Sequence, residues 1–489
     1  MATTNKLRKV LHKKAWEFCA PTYFVNTNNG ASIAGDDGAM PQRDCIYFIN
    51  AASGIYNYNA DQDSWLQLPN SGIAGAYGAG ACLDFRVVGM LGGNLQNTAT
   101  AGTTTTITTN RTITRDIRGC RIRVVAGTGV GYNGTVASNT TGANAVITVT
   151  PANGVAFDAT TVYMVWSGSL WYFNPGSTAV GFSVYDRATN TWTAKSVTGL
   201  PTAWGTTGQL IGTGSVTSTF DSGTSSGTNT TTTLNDTAKA WQVNAWTNYQ
   251  IRITAGTGAG QYRTVASNTA NAITVSAAWT VTPDATSQYA IEGNDDFMYL
   301  LGNNAVTLYR YSIINNTWTT LAPTAARAAA MGAGGCADWI GSVNDPDWSG
   351  AQGKTLVQGT TFVKQNGRYI YSLRGAGSGG LDVYDIALNT WYSSVAYGQS
   401  TETFTTGSFS VQYGGYIYIT KENTGRIFRF DVAKHVLEPW ATNLYPQSTT
   451  VEGDKAFVTT YVDGNTVIPF YYTMRHSGTE LLRMMLIDQ

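Results

Sequence analysis

Three histidines, His12, His435 and His476, and five cysteines, Cys19, Cys45, Cys82, Cys120 and Cys336, are the whole supply of imidazole and thiol chemistry in this 489-residue chain. A metal site needs such residues at short, regular spacing, and a nucleophile needs a base placed by a recognisable pattern. None of the histidines has a second His or Cys at ligand distance along the chain, and no CxxC pair occurs. They read as hydrogen-bonded or solvated histidines and as buried thiols of a protein made in a reducing compartment. Asp61 and Asp63 in "NADQDSW" open like a calcium loop but lack its Gly and terminal Glu, which leaves a solvated turn. The glycines of "AGTGVG" and "AGTGAG" lack the helix and downstream acid of a dinucleotide loop and read as turn glycines. No nucleophile elbow or phosphate-binding loop stands out. The expectation is no catalytic residue, no metal and no cofactor: not an enzyme.

What remains to be positioned is therefore a surface, and composition says what builds it. Only 12% of residues are charged, and Gly and Tyr are abundant. Tyr and Thr suit strands while Gly and Asn suit tight turns, so the chain reads as all-β. Thirty basic residues balance thirty acidic ones. The body thus offers no net field for nucleic acid or an anionic membrane, and no apolar run reaches the length of a membrane-spanning helix. The one basic cluster, "NKLRKVLHKKAWEF", places Leu7, Val10 and Leu11 on one face of a helix with Arg8, Lys9, Lys13 and Lys14 mostly elsewhere. These seven residues are the candidate docking site for a partner; contact with nucleic acid is the lesser reading.

Two repetitions organise the rest. In "IYNYNADQDSW", "FSVYDRATNTW", "LYRYSIINNTW" and "LDVYDIALNTW" a strand, a polar turn and a second strand opening on Trp recur, ending at Trp65, Trp192, Trp318 and Trp391. "IFRFDVAKHVLEPW", ending at Trp440, reads as a looser copy. Upstream strands "CIYFINAA", "SLWYFNP", "DFMYLLGNN", "RYIYSLRG" and "YIYITKEN" share a second character, and "GAGACLDF" matches "GAGGCADW". Gly and Ala runs weaken a strand unless backbones crowd, which points to innermost strands around an axis. Such units cannot bury an apolar face alone, so they imply neighbours of the same kind.

These residues resemble the kelch family of β-propellers. Tyr185–Asp186 with Asn190 and Trp192, and Tyr384–Asp385 with Asn389 and Trp391, carry the resemblance best. It implies an all-β, kelch-like β-propeller of about six blades. The Gly-Gly doublet of that family is mostly replaced, by "GNN" at Gly302 and "GAG" at Gly375. The two histidines and Tyr/His pattern of the copper oxidases built on this fold are not recognisable. "NNTW" and "TNTW" lack the Asp and Gly of sialidase turns.

The tryptophans are about 127, 126, 73 and 49 residues apart against a repeat of ~50. The two long intervals hold a copied passage, "IRVVAGTGVGYNGTVASNT" from Ile122 and "IRITAGTGAGQYRTVASNT" from Ile251, each followed by "DAT" and each preceded by a Thr-rich leader that is either strand or connector. The expected organisation is an N-terminal arm and the start of the ring (1–40), three propeller parts (41–100, 164–215, 293–489) and two inserted β modules (101–163, 216–292). All insertions, including a shorter one near "VNDPDWSGAQGKTLVQG", fall between a first and a second strand and so decorate one face. A sixth unit comes from the C-terminal stretch, with a terminal strand closing the ring.

The module motif, "GTGAGQYRTVASN" with "PDATSQY", resembles short β units of tailed-bacteriophage structural proteins. That resemblance implies a virion component, made in the host cytoplasm. The expected role is a non-enzymatic, multi-copy building block of neck, tail or head that contacts portal, neck, tail or capsid proteins. The alternative is a carbohydrate-binding protein recognising a host glycan, and a propeller enzyme ranks below both.

Overall fold

The structure, a computed structural model, describes residues 16–19, 32–35, 46–50, 54–59, 63–73, 81–89 and 96–113, most of 117–441, and 455–463, 466–474 and 481–486. The candidate docking residues Leu7, Arg8, Lys9, Val10, Leu11, Lys13 and Lys14 lie outside the described residues.

Alternating apolar residues produce one kind of unit six times among the described residues: four antiparallel strands, in chain order in five of them and with an N-terminal strand completing the sixth. Sheet I holds Ser32–Gly35, Ile46–Asn50, Gly54–Asn59 and Ser64–Gln67. Sheet II holds Cys82–Gly89, Val162–Asn174, Gly181–Asp186 and Thr191–Ala194. Sheet III holds Gly208–Gly212, Phe297–Gly302, Leu308–Ser312 and Thr317–Thr320. Sheet IV holds Cys336–Ile340, Tyr369–Gly375, Ser378–Asp385 and Thr390–Val395. Sheet V holds Phe409–Tyr413, Tyr416–Thr420, Ile427–Asp431 and Val436–Ala441. Sheet VI takes Lys455–Asp463, Thr466–Met474 and Leu481–Met485 from the C-terminus and Trp16–Phe18 from the N-terminus, paired through Trp16 and Met484.

The second strand of each sheet reads as a nearly continuous apolar run because it is buried on both faces. In "FMYLLG", Met298 and Leu300 pack toward sheet II while Tyr299 and Leu301 pack toward sheet IV. The same alternation gives a separate apolar core at every seam: I with II, II with III, III with IV, IV with V, V with VI, and VI with I. The six first strands also approach one another in that cyclic order.

Four of the recurring tryptophans have one local geometry. The Tyr opposite each Trp donates to the turn residue between them: Tyr58 to Asp63, Tyr185 to Asn190 and Tyr311 to Asn316 at 2.6 Å, and Tyr384 to Asn389 at 2.7 Å. These acceptors stand at positive φ, which Asn and Asp tolerate better than other side chains. Each Tyr and Trp ring pair then lies 5.0–5.2 Å apart. Trp440 does not belong to this set. In sheet V, Phe430 faces Leu437, His435 takes the positive-φ position, and Trp440 packs into the opposite seam, toward sheet VI. The looser spacing of "HVLEPW" had concealed that shift.

The glycine run "GAGG" is also placed differently from the expectation. Gly332, Gly334 and Gly335 precede the strand Cys336–Ile340 and form its turn. A Cβ on Gly334, whose φ is +74°, would sit 1.8 Å from the Thr405 carbonyl oxygen, so the crowding belongs to the loop beside sheet V.

Three insertions separate first from second strands: one module in sheet II, one in sheet III and a hairpin, Gly353–Val357 with Thr360–Lys364, in sheet IV. The first module is a closed six-stranded barrel. Its strands run in order Gln96–Gly102, Thr106–Thr109, Val146–Thr150, Asn133–Asn139 and Arg121–Ala126, and the early part of Val162–Asn174 pairs with both ends. The later part of that same strand is the second strand of sheet II. The second module, Thr219–Thr224, Gln288–Glu292, Gln250–Ala255, Tyr262–Asn268, Ala272–Val275 and Thr233–Asn235, is a curled sheet whose two end strands are not paired with each other among the described residues. Each Thr-rich leader is thus two strands joined by a turn.

Candidate binding cleft

The copied passage proves to be a structural clasp. In the first module Thr128 Oγ1 donates to Asp158 Oδ2 at 2.8 Å and Thr160 Oγ1 to Asp158 Oδ1 at 2.6 Å. In the second, Thr257 Oγ1 donates to Asp284 Oδ2 at 2.7 Å and Thr286 Oγ1 to Asp284 Oδ1 at 2.6 Å. These bonds, the threonine hydroxyl first, hold both exposed carboxyls below their usual range. The preceding glycines are required by contact: a Cβ would lie 1.8 Å from the Thr160 carbonyl oxygen at Gly127 and 2.0 Å from that of Thr286 at Gly256. Asn139 and Asn268, at matching positions, each accept a backbone amide, from Ile117 and Trp246, at 2.9 Å. These threonines, glycines and asparagines of the passage therefore tie strands to loops in both modules.

Beyond the clasp, the second module docks on sheets III and IV through residues its twin does not share. Tyr249 Oη donates to the Asn366 carbonyl at 2.6 Å, and Gln365 Nε2 donates to the Ala245 carbonyl at 2.7 Å. Asn248, at φ 68°, is the junction: its Nδ2 donates to the Ile386 carbonyl at 3.0 Å, and its Oδ1 accepts from Arg310 at 3.3 Å. Phe220 lies against Gly367, and Trp339 packs on the module core.

This docking leaves an open polar cleft of about 340 Å³ between the module and the end of sheet III. Asn248, Thr264 and Ser276 form the module wall, and Asp296, Arg310 and Asn315 stand on the opposite wall above Phe297. Asp296 Oδ2 accepts the Ser312 hydroxyl at 2.8 Å, and Asn315 Nδ2 donates to the same hydroxyl at 3.0 Å. The Arg310 guanidinium lies 4.2 Å over the Phe297 ring. Behind it, burial raises the Tyr299 hydroxyl, with Arg310 pulling the other way. Hydroxyls, amides, one carboxyl and one guanidinium around an open space are groups that exchange hydrogen bonds with a polyhydroxylated ligand. No motif pointed to this set, because its residues come from the module and from three strands of one sheet.

Of the remaining candidates, His12, His476, Cys45 and Asp61 lie outside the described residues, and Asp63 is the exposed turn acceptor of Tyr58. His435 is buried and hydrogen-bonded to Tyr371 Oη at 3.0 Å. Cys19, Cys82, Cys120 and Cys336 are buried thiols outside any disulfide. Among the described residues no group of three His, Cys, Asp or Glu side chains could hold a metal ion, and no helix is long and apolar enough to cross a membrane.

No family model matches the sequence, and no curated protein matches it. Among solved structures, the chain is similar to the phage phi92 endosialidase, with 9% identity, a TM-score of 0.29, and coverage of 98% of this chain and 70% of that one. It is similar to Saccharomyces cerevisiae Sqt1, with 8% identity, a TM-score of 0.32, and coverage of 98% and 99%. It is also similar to a Niastella koreensis GH74 enzyme, with 12% identity, a TM-score of 0.17, and coverage of 91% and 80%. The expectation of a chain without enzymatic activity is corrected: two of these three structures carry the names of enzymes.

Proposed function

We propose that this chain is a carbohydrate-binding, host-recognition component of a tailed-phage particle, built as a kelch-like propeller of six blades. The observation that carries the binding role is the polar cleft between the second module and sheet III, with Asn248, Thr264, Ser276, Asp296, Arg310 and Asn315 around it. Six seam cores in cyclic order and pairing between the two chain ends support the ring reading. Since strands alternate direction within a blade, insertions between first and second strands leave from one face, and the cleft lies beneath one of them. The virion assignment rests on the "GTGAGQ" and "PDATSQY" resemblance.

A second reading, a multi-copy platform contacting portal, neck, tail or capsid proteins, is favoured by one observation. Val155 and Val281 occupy matching positions beside the two clasps and are exposed at 58% and 49%. Screening the whole chain against an oligosaccharide array, with mass spectrometry of purified particles, separates the readings. Glycan binding together with presence in the particle supports the first; presence without glycan binding leaves only the second.

A further inference from the structure

We infer that the cleft takes an acidic oligosaccharide, with the sugar carboxylate held by Arg310. This rests on the carbohydrate-binding reading above and adds the charge of the ligand to it. Eight other Lys or Arg side chains of the described residues form ion pairs with Asp or Glu, several of them buried. Arg310 forms none among the described residues. Its contacts are the amide oxygen of Asn248 at 3.3 Å, the Phe297 face at 4.2 Å, and the Tyr299 hydroxyl behind it. A guanidinium presents five N–H donors in a planar fork, and one bond to a neutral amide leaves most of that capacity for a carboxylate.

The setting also holds the fork in place. Stacking on Phe297 fixes its plane, and Asn248, itself pinned to the Ile386 carbonyl, fixes its edge. A donor ordered before the ligand arrives loses less conformational freedom on binding. Thr264 and Ser276 on one wall and Asn315, Thr317 and Thr319 on the other supply hydroxyl and amide groups for the sugar ring. Asp296 shares the wall with Arg310 and is engaged by Ser312, so it disfavours a second negative charge on its side and orients the ligand's acid group toward Arg310.

The test uses the full chain and an array bearing uronate- and sialate-terminated oligosaccharides beside neutral ones, followed by titration calorimetry with the strongest acidic binder and its methyl ester. The acid is expected to bind at least tenfold more tightly than the ester. Its affinity should fall as salt rises, and Arg310→Gln should remove the preference while the thermal transition of the ring is retained. Asp296→Asn should tighten binding of the acid about threefold, by removing a like charge. Equal binding of acid and ester, or selective binding of neutral sugars, overturns this inference and leaves the carbohydrate-binding reading standing. Binding of no oligosaccharide at all overturns both. Unchanged acid preference in Arg310→Gln moves the site away from Arg310 and overturns the inference as well.

Discussion

Tyr311 Oη donates to Asn316 Oδ1 at 2.6 Å, and the same amide oxygen accepts the Ser196 amide of sheet II at 3.0 Å. One side chain thus closes the turn of its own sheet and fastens that turn to its neighbour, with φ of 52° at the backbone. Asn316→Ala should cost about 2 kcal/mol, from the lost acceptor and the positive φ together, while Asn316→Gly should cost about half as much. Urea unfolding of the two variants measures the difference; equal losses would remove the conformational part of the explanation.

Gly256 faces the Thr286 carbonyl too closely for any Cβ. Gly256→Ala is therefore expected to open the clasp of the second module locally. Amide exchange of Thr257 and Thr286, whose N–H groups bond to Thr286 Oγ1 and Asp284 Oδ1, should quicken strongly. Amides in Tyr369–Gly375 should not change.

One buried and one half-buried group give the fold opposing acid responses. Burial pushes His435 down to about 4, against the pull of Asp431, so it stays neutral when folded. Its contribution is complete above the unfolded value of 6.5 and is lost as pH falls toward 4, by about 3 kcal/mol in all. Burial pushes Asp338 up to about 6, with the Ser410 hydroxyl opposing. Its contribution is complete below 3.8 and is lost as pH rises toward 6. The two offset one another between pH 4 and 6. Asp338→Asn should consequently show a steeper fall in stability on acidification than the native chain, and His435→Gln a shallower one. Parallel urea midpoints from pH 4 to 7 would contradict this.

Arg252 and Glu292 form a buried, doubly hydrogen-bonded ion pair in the second module. Arg252→Met should destabilise by about 3–5 kcal/mol because it strands a carboxylate, whereas Arg252→Met with Glu292→Met should recover most of that. The measurement is a double-mutant cycle by thermal unfolding.

The sheets were legible because their signals are local. A Tyr, a polar turn and a Trp seven residues later lie on one hairpin, and the doubly buried second strand announces itself as an apolar run. Sheet V broke the pattern, since Leu437 replaced the Trp and a nearby Trp440 served the other seam. The copied passage gave away the modules but not that one closes and the other stays open. Closure depends on pairing of Val162–Trp166 with Arg121–Ala126, some forty residues apart, which no periodicity records. The cleft was illegible for a similar reason. Asn248 and Arg310 are separated by 62 positions, and neither sits in a motif that names its partner.

The 13-residue strand Val162–Asn174 belongs to the first barrel at its start and to sheet II at its end. A tug on that barrel is therefore delivered lengthwise into sheet II, where the rungs binding Val162–Asn174 to Cys82–Gly89 and Gly181–Asp186 resist sliding together. The other module feeds its load through a break after Glu292 before the next strand begins at Phe297. Of the two appendages, the first is the stiff lever and the second the yielding one, and single-molecule stretching from each tip would register the contrast as unequal rupture forces.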